Sequence, residues 1–323
     1  MAILITGVAG FIGMNVARSL LERGELVIGV DNLNDYYDVN LKKARVSLLA
    51  KYKNFRFEFL DISEPKSLNR FAGETDKIIH LAAQAGVRYS FKNPDSYIKS
   101  NLAGHLNILE YARYISNELI NIVYASSSSV YGASKNLPYS VSDSVDNPVS
   151  LYAATKRAGE LMSEVYSHNY NLSQIGLRLF TVYGPWGRPD MSAYIFTSKI
   201  FSGEPIQVFG DGQMRRDFTF IDDIVTGIVS ALDRPHNRKS SNHEIYNLGN
   251  NKPEPLLRYI GLFESALNKK AIIEFEPMQA GDMKETYADI DSSRNDLGFK
   301  PITSIDEGIP RFVNWFLQFH NLK

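Results

Sequence analysis

The sequence contains no cysteine, and this absence excludes disulfide bonds, thiolate metal sites and cysteine nucleophiles. It also has almost no excess charge, because 35 basic and 36 acidic residues leave a formal net charge of −1. A nucleic-acid or anionic-membrane partner would therefore find no basic surface to attract it. The six histidines are scattered without the spacing of metal ligands, so we predict no metal site.

Long apolar runs are missing as well. No run of about 18 uninterrupted apolar residues occurs, so we predict no transmembrane helix. The apolar start of the chain, MAILITGVAGFIGMNV, lacks the basic segment of a signal peptide and is interrupted by glycines. We therefore expect a soluble, cytoplasmic protein. Its 323 residues are enough for one large domain or two moderate ones.

Short apolar runs alternate with amphipathic stretches through the first 180 residues. The runs are mostly β-branched or aromatic, and they predict buried parallel strands at 2–6, 26–31, 55–61, 77–82, 120–126 and 174–180. Helical patterns between them predict helices at about 11–23, 40–52, 94–116 and 152–169. This alternation indicates the α/β class, with a doubly wound parallel sheet.

The pattern changes after Gly184, where prolines and glycines become denser and the elements shorter. We therefore predict a first domain at 1–180 and a smaller C-terminal portion at 181–323. Within the second part, a helix near 222–233 and a strand near 244–249 are candidates to return to the first domain.

Three glycines, Gly7, Gly10 and Gly13, lie between the first strand and the first helix. Glycines there allow the backbone to approach a pyrophosphate, although a tightly packed turn without a ligand would need them too. Asp31 ends the second strand about 20 residues later, where an acid can accept hydrogen bonds from an adenosine ribose. Its carboxylate would repel a 2′-phosphate, and Asn32 follows it instead of arginine. The pattern predicts NAD as the cofactor, and not NADP.

Tyr152 and Lys156 lie four residues apart at the start of a predicted helix, so both side chains can reach one ligand. The ammonium would favour the phenolate form of the tyrosine, and a serine after the preceding strand, Ser127, would bind the reacting hydroxyl. Tyr131 and Lys135 have the same spacing. That pair follows the fifth strand at once and contains a glycine, so we predict that it lacks a helical frame.

These features carry a resemblance to a known family. The segments TGVAGFIG, HLAAQAGVR, SSSSVYG, YAATK and RRDFTFIDDIV follow one another as in the extended short-chain dehydrogenase/reductase family. DNLNDYYDV, SSSSVYG and YGPWGRPDM together resemble bacterial UDP-glucuronate 4-epimerases. The resemblance implies a Rossmann-type sheet with NAD bound to the N-terminal domain and a UDP-sugar bound by the C-terminal portion.

The resemblance also implies roles for individual residues. Those implied for catalysis are Ser127, Tyr152 and Lys156. Those implied for cofactor binding, besides Tyr152 and Lys156, are Gly7, Gly10, Phe11, Ile12, Gly13, Asp31, Asn32, Asp61, Ile62, Leu81, Ala82 and Ala83. Those implied for the substrate are Arg88, Ser127, Ser128, Ser129, Thr181, Arg188, Phe209, Arg216 and Asp282.

Simpler interpretations exist for several polar and aromatic residues. Arg215 and Arg216 could pair with nearby aspartates, Asp211 and Asp217, at the surface. Asp222 and Asp223 fit the acidic start of a helix. Trp186 could shape a loop over the substrate or pack in the core. Arg88 could be a surface residue, and Gln279 replaces an arginine that related epimerases often use for the diphosphate.

The function implied is 4-epimerisation of UDP-glucuronate to UDP-galacturonate through a 4-keto sugar. A UDP-glucuronate decarboxylase is an alternative, although its relatives usually carry arginine where Trp186 stands. A 4,6-dehydratase would need an acidic pair in place of Ser128 and Ser129. Hexose epimerases usually have asparagine at the position of Thr181, which argues against a plain UDP-galactose enzyme. Epimerisation of UDP-glucose or UDP-GlcNAc is a further alternative. A non-catalytic NAD-binding regulator would be expected to lack the tyrosine or the lysine.

The resemblance also implies a homodimer formed by helices near 94–116 and 152–169.

Overall fold

The computed structural model describes residues 1–115, 119, 121–234, 243–278 and 283–322. Its strands are β1 (Ala2–Thr6), β2 (Val27–Asp31), β3 (Phe55–Phe59), β4 (Thr75–His80), β5 (Asn121–Ser127), β6 (Gln174–Leu179), β7 (Thr181–Tyr183), β8 (Pro205–Phe209), β9 (Arg215–Phe220), β10 (His243–Leu248), β11 (Pro253–Pro255), β12 (Ile272–Glu276) and β13 (Glu285–Thr286). Its α-helices are α1 (Phe11–Glu22), α2 (Val39–Leu49), α3 (Pro94–Tyr97), α4 (Gly104–Tyr114), α5 (Leu151–Tyr170), α6 (Ser192–Ser202), α7 (Ile221–Asp233), α8 (Leu256–Leu267), α9 (Asp291–Leu297) and α10 (Ile305–Phe319).

Seven strands form one parallel sheet in the order β10-β6-β5-β4-β1-β2-β3. Alternate residues of β1 belong to different core clusters, with Ile3 and Ile5 on one face and Ala2 and Leu4 on the other. Both faces are therefore covered, which explains why all five residues of β1, AILIT, are buried. The predicted α/β class and doubly wound parallel sheet are confirmed.

The order of the strands reverses between β1 and β4, because the chain passes from β3 at one edge to β4 beside β1. A crevice opens at such a switch point, outside the carboxyl ends of the strands, and ligands of doubly wound sheets bind there. The fold therefore determines where the site must be sought.

The predicted helix at 94–116 is interrupted in the structure. The helix α3 passes into a π-helical segment, Ile98–Ala103, before α4 continues to Tyr114. Asn101 lies buried within this segment and exchanges two hydrogen bonds with the backbone of Gln84. It also donates to Thr155 of α5 at 3.1 Å. The interruption thus ties the chain after β4 to α5.

The strand β10 lies far along the chain but pairs with β6 at the edge of the seven-stranded sheet. The helix α7 before it packs against α1. The remaining strands form two small groups, with β7, β11 and β13 pairing with β9, and β8 pairing with β12. The division of the chain near residue 180 stays a prediction.

Among the described residues, no helix is long and apolar enough to cross a membrane.

Candidate active site

A cavity of about 390 Å³ lies at the carboxyl ends of the central strands, within the size range of small-molecule sites. Its walls include every residue that the sequence predicted for cofactor binding and catalysis: Gly7, Gly10, Phe11, Ile12, Gly13, Asp31, Asn32, Asp61, Ile62, Leu81, Ala82, Ala83, Ser127, Tyr152 and Lys156. The structure brings these residues together, and their individual roles stay predictions.

The glycines of the first turn are required by close packing. A Cβ atom on Gly7 would lie 2.6 Å from the backbone nitrogen of Ala82, and one on Gly13 would lie 2.1 Å from the carbonyl oxygen of Gly7. Packing alone therefore explains the glycines. A separate feature fits a dinucleotide: α1 begins beside the cavity at Gly10 without a side-chain cap. The first amide groups of α1 are left to bind an anion such as a pyrophosphate.

Asp31 ends β2 and faces the cavity with a carboxylate held by the backbone. One oxygen accepts from the amide of Ala9 at 3.1 Å and the other from the amide of Leu33 at 2.8 Å. Burial raises the pKa of this carboxyl, although these bonds and the charge of Lys42 oppose the rise. This fixed acid fits an adenosine ribose, as the sequence predicted for NAD.

Asp61 follows β3 and accepts a hydrogen bond from Asn32 at 3.2 Å. Burial acts to raise the pKa of Asp61, but hydrogen bonds from Ser63 and Asn32, together with the charge of Lys99, outweigh it and the pKa is lowered. Two predicted cofactor residues are thus linked to each other at this end of the cavity.

Tyr152 and Lys156 lie in the first two turns of α5. The hydroxyl of Ser150 caps this helix by accepting from the amide of Ala153 at 3.1 Å. Lys156 Nζ donates to the carbonyl of Ala125 at 2.9 Å. Burial lowers the pKa of Lys156 to about 8, although the charge of Glu160 opposes this shift. The ammonium form therefore still predominates at neutral pH.

Burial also raises the pKa of the Tyr152 hydroxyl. A hydrogen bond with Ser127 and the positive charge of Arg188 act in the opposite direction. The predicted base thus lies in contact with the predicted catalytic serine and within the field of a predicted substrate residue.

The second tyrosine–lysine pair lies in a different environment. Tyr131 is buried and ends a short 3₁₀ turn, Ser128–Tyr131, while Lys135 is exposed. The Tyr131 hydroxyl donates to Asn247 at 2.7 Å and accepts from Arg178 at 3.1 Å. These bonds hold the hydroxyl inside the core.

The hydroxyl residues predicted for the sugar line the same cavity as Tyr152 and Lys156. They are Ser128, Ser129 and Thr181, and Arg188 joins them. The Arg188 guanidinium forms two hydrogen bonds with Asp190, at 2.9 and 2.5 Å, and Asp190 also accepts from Tyr36 at 2.9 Å. This pairing orients Arg188 at the cavity wall.

Three other predicted substrate residues lie outside the residues that line the cavity. The Arg88 guanidinium lies 5.4 Å from the centre of the Phe209 ring, so these two predicted substrate residues are neighbours. Arg216 donates to the carbonyl oxygens of Arg215 and Lys284. Asp282 and Gln279 lie outside the described residues.

The simpler interpretations can now be compared with the contacts. Asp217 is buried and accepts from the backbone amides of Asn250, Asn251 and Ala288, so it is not a surface partner of an arginine. Trp186 packs against Trp315, with ring centres 5.4 Å apart, as core packing requires.

The two acidic residues at the start of α7 have structural partners. Asp222 pairs with Arg311, and Asp223 accepts from the amides of Ile302 and Thr303. They fit the acidic start of a helix, as the sequence indicated.

Sequence reasoning missed several residues that line the cavity. Three of them belong to the segment DNLNDYYDV and had been given no role: Asn34, Tyr36 and Tyr37. A fourth, Lys42, lies three residues after the segment. The buried Lys42 ammonium donates to the carbonyl and side-chain oxygens of Asn34, both at 2.6 Å. The position of this segment directly after β2 was the signal that could have identified them.

Comparison with known proteins agrees with this geometry. Residues 3–249 match the model of the NAD-dependent epimerase/dehydratase family. Protein CapI of Staphylococcus aureus is 46% identical over 335 residues, covering 99% of each chain. UDP-glucuronate 4-epimerase 4 of Arabidopsis thaliana is 44% identical, covering 99% of this chain and 76% of the relative.

Among solved structures, a UDP-glucuronic acid 4-epimerase from Bacillus cereus in complex with UDP-glucuronic acid and NAD superposes with a TM-score of 0.89. It is 33% identical, and the match covers 99% of this chain and 100% of that one. These similarities confirm the resemblance that the motifs indicated. The chain belongs to the NAD-dependent epimerase/dehydratase family.

Proposed function

We propose that the protein is an isomerase that uses bound NAD to convert UDP-glucuronate to UDP-galacturonate at C4. One observation carries the proposal: Tyr152, Lys156 and Ser127 stand in a single cavity between the dinucleotide residues and a group of neutral hydroxyls. The similarity to UDP-glucuronate 4-epimerases over the whole chain supports it.

In this function, Tyr152 takes the proton of the sugar 4-hydroxyl and later returns it. Bound NAD supplies the reversible hydride acceptor. Ser127, whose hydroxyl is a hydrogen-bond partner of Tyr152, holds the 4-oxygen. The Lys156 ammonium has one proton on the Ala125 carbonyl and two others available for the nicotinamide ribose. The positive charge of Arg188 favours the phenolate form of Tyr152 against the effect of burial on its pKa.

The dinucleotide is held at the other end of the cavity. Asp31 would accept from the adenosine ribose, and the amides at the start of α1 would bind the pyrophosphate. Beyond the cavity, Arg216 would contact the UDP diphosphate, and Arg88 with Phe209 would lie beside the uracil. The role of Asp282 near the uridine ribose rests on the sequence alone.

The neutral hydroxyls decide between epimerisation and decarboxylation. Oxidation at C4 makes glucuronate a β-keto acid, which loses carbon dioxide when its carboxylate bond aligns with the carbonyl π system. Thr181 and at least one of Ser128 and Ser129 hold the carboxylate near the carbonyl plane, and none of them is an acid that could protonate an enolate. Thr181→Ala or Ser128→Ala should slow epimerisation and increase the fraction of UDP-4-keto-pentose. Wild-type turnover without a pentose in all these variants would contradict the uronate assignment.

A single incubation tests the proposed reaction. Purified protein is mixed with UDP-glucuronate, without added cofactor or reductant, and the products are identified by NMR. UDP-galacturonate supports the epimerase. UDP-xylose or a keto-pentose would identify a decarboxylase, and no change would direct the search to UDP-glucose and UDP-GlcNAc.

We also propose that the protein forms a homodimer through α4 and α5. These two helices pack against each other, with His105 bonded to Ser163 at 2.9 Å. Their solvent-facing side includes the exposed apolar residues Leu106, Leu161 and Val165, which a four-helix contact would cover. Leu161→Glu should convert the dimer to a monomer in light scattering, and a monomeric wild type would contradict the proposal.

A further inference from the structure

Arg45 of α2 is fully buried, and none of the roles described above uses it. Its four hydrogen bonds all end on neutral oxygen atoms, two from each terminal nitrogen. Burial lowers the pKa of this guanidinium. A buried charge is costly, so its retention calls for a reason beyond the filling of space.

The oxygens that Arg45 binds come from three separate parts of the chain. Nη1 donates to the carbonyl of Ala9 at 2.9 Å and to the hydroxyl of Tyr37 at 2.7 Å. Nη2 donates to the carbonyls of Trp186 at 2.6 Å and of Gly187 at 3.3 Å. One guanidinium thus joins the glycine turn, the segment after β2 and the loop after β7.

Each of these attachments is adjacent to a residue of the proposed site. Ala9 lies between Gly7 and Gly10, and its amide donates to the Asp31 carboxylate. On the other side, the Gly187 carbonyl belongs to the peptide bond that leads into Arg188, which lines the cavity. Arg45 therefore connects the cofactor end of the cavity with the sugar end from behind.

The geometry also explains why the residue is an arginine. Its planar fork presents donors in fixed directions, so the carbonyls on its two sides are held at a fixed separation. A lysine would present one compact ammonium and could not span the same oxygens. Trp186 has a positive φ of 69°, a backbone conformation that residues other than glycine rarely adopt unless their surroundings impose it. The hydrogen bond from Arg45 to its carbonyl is one such constraint.

We propose that Arg45 is a positioning residue that fixes loop 184–191, and with it Arg188, relative to the glycine turn that holds NAD. The identity of the sugar in this inference rests on the proposed function, whereas the contacts of Arg45 do not depend on it. Arg45 acts through Arg188. Replacing the Arg45 guanidinium should therefore weaken sugar binding only in a protein that still carries Arg188.

A double-mutant cycle of Arg45→Lys and Arg188→Lys tests this dependence. The cycle is built on Tyr152→Phe, so that UDP-glucuronate binds without turnover and its affinity is measured by calorimetry. We expect each single variant to weaken binding about tenfold, and the double variant to be no more than about twofold weaker than the weaker single variant. Bound NAD should stay unchanged, and affinities are compared per folded molecule because the loss of buried hydrogen bonds in Arg45→Lys lowers the melting temperature. Arg23→Lys, which alters an exposed arginine paired with Asp233 and Glu25, is the matched control.

Losses that multiply in the double variant would overturn the proposal, because they would show that Arg45 acts independently of Arg188. Loss of bound NAD in Arg45→Lys would overturn it as well. If Arg45→Lys does not fold, the cycle is run with Arg45→Gln, which also lacks the fork that reaches the carbonyls of Trp186 and Gly187, and the same two outcomes decide it. If the parent binds UDP-glucose and not UDP-glucuronate, the proposed function fails, and the same cycle with UDP-glucose still decides the role of Arg45.

Discussion

Tyr131 and Tyr152 are each followed by a lysine four residues later, and the structure gives the two pairs opposite environments. Tyr152 and Lys156 lie in a capped helix with both side chains at the cavity. Tyr131 ends a short turn, its hydroxyl is bonded to Asn247 and Arg178, and Lys135 points to solvent. The spacing is the same in both, so the chemistry depends on the helical frame and on what the hydroxyl faces.

Tyr152→Phe should produce the largest effect. The variant loses the hydroxyl that exchanges a proton with the substrate, while the helix and the walls of the cavity remain. Epimerisation should fall by roughly 10²-fold or more, with bound NAD retained. Initial rates and the absorbance of released cofactor would measure both. Near wild-type activity of this variant would remove Tyr152 from the mechanism.

Lys156→Met should come next. It removes the ammonium that donates to Ala125 and that we place beside the nicotinamide ribose. We expect a roughly ten- to hundredfold loss of turnover, together with weaker NAD retention. Lys135→Met, at the exposed lysine of the other pair, is the matched control and should leave both quantities unchanged. Equal losses in the two variants would abolish the distinction between the pairs.

Tyr131→Phe should affect stability and not chemistry. Removal of its hydroxyl leaves Asn247 and Arg178 each without one buried partner, which should cost about 1–2 kcal/mol of unfolding free energy. Urea denaturation would measure this loss. Turnover per folded molecule should stay within about twofold of the wild type. A loss of turnover as large as that of Tyr152→Phe would instead identify Tyr131 as a residue of the mechanism.

The folded state that holds Tyr152 and Lys156 in α5 should be less stable in acid. His105 binds Ser163 of α5, and burial lowers its pKa to about 3. An unfolded chain binds a proton at histidine near pH 6.5, so below about pH 6.5 the unfolded state takes up a proton that the folded state does not. His105 should therefore contribute about 1 kcal/mol to the fall in unfolding free energy between pH 6.5 and 5.5, and His80, whose pKa is also lowered by burial, adds to the same fall. His105→Gln should reduce this dependence and His168→Gln, at the far end of α5, should not. A wild-type profile that is flat in this interval would contradict the argument.

Much of the sheet could be predicted because its signals are local. The six predicted strands lie within two residues of their observed bounds, since buried strands of this type are short apolar runs between glycine and polar residues. The small strands β11 and β13 carry too few residues for a pattern. They form because β9 offers them pairing partners from elsewhere in the chain.

The site, like the sheet, has parts that local sequence patterns predict and parts that depend on distant contacts. The glycine turn, Asp31 and the Tyr152 pair each combine a local motif with a strand or helix end, and all of them reach the cavity. Tyr36 and Asp190 are 154 residues apart and meet only in the fold. Arg45 likewise depends on oxygens 141 and 142 residues away. No periodicity in the sequence could have indicated these contacts.

Because of the π-helical segment Ile98–Ala103, the number of residues in this helical region cannot change without altering its geometry. A π turn contains one more residue than the α turn it replaces, so deleting one residue there would restore a regular helix. The residues before it would then rotate by about 100° about the axis. Tyr97 packs with its ring centre 6.1 Å from that of Tyr152 and would be turned away from it. A substitution at an exposed position of this stretch changes one side chain, whereas a single-codon deletion would rotate the whole of α3 away from α5.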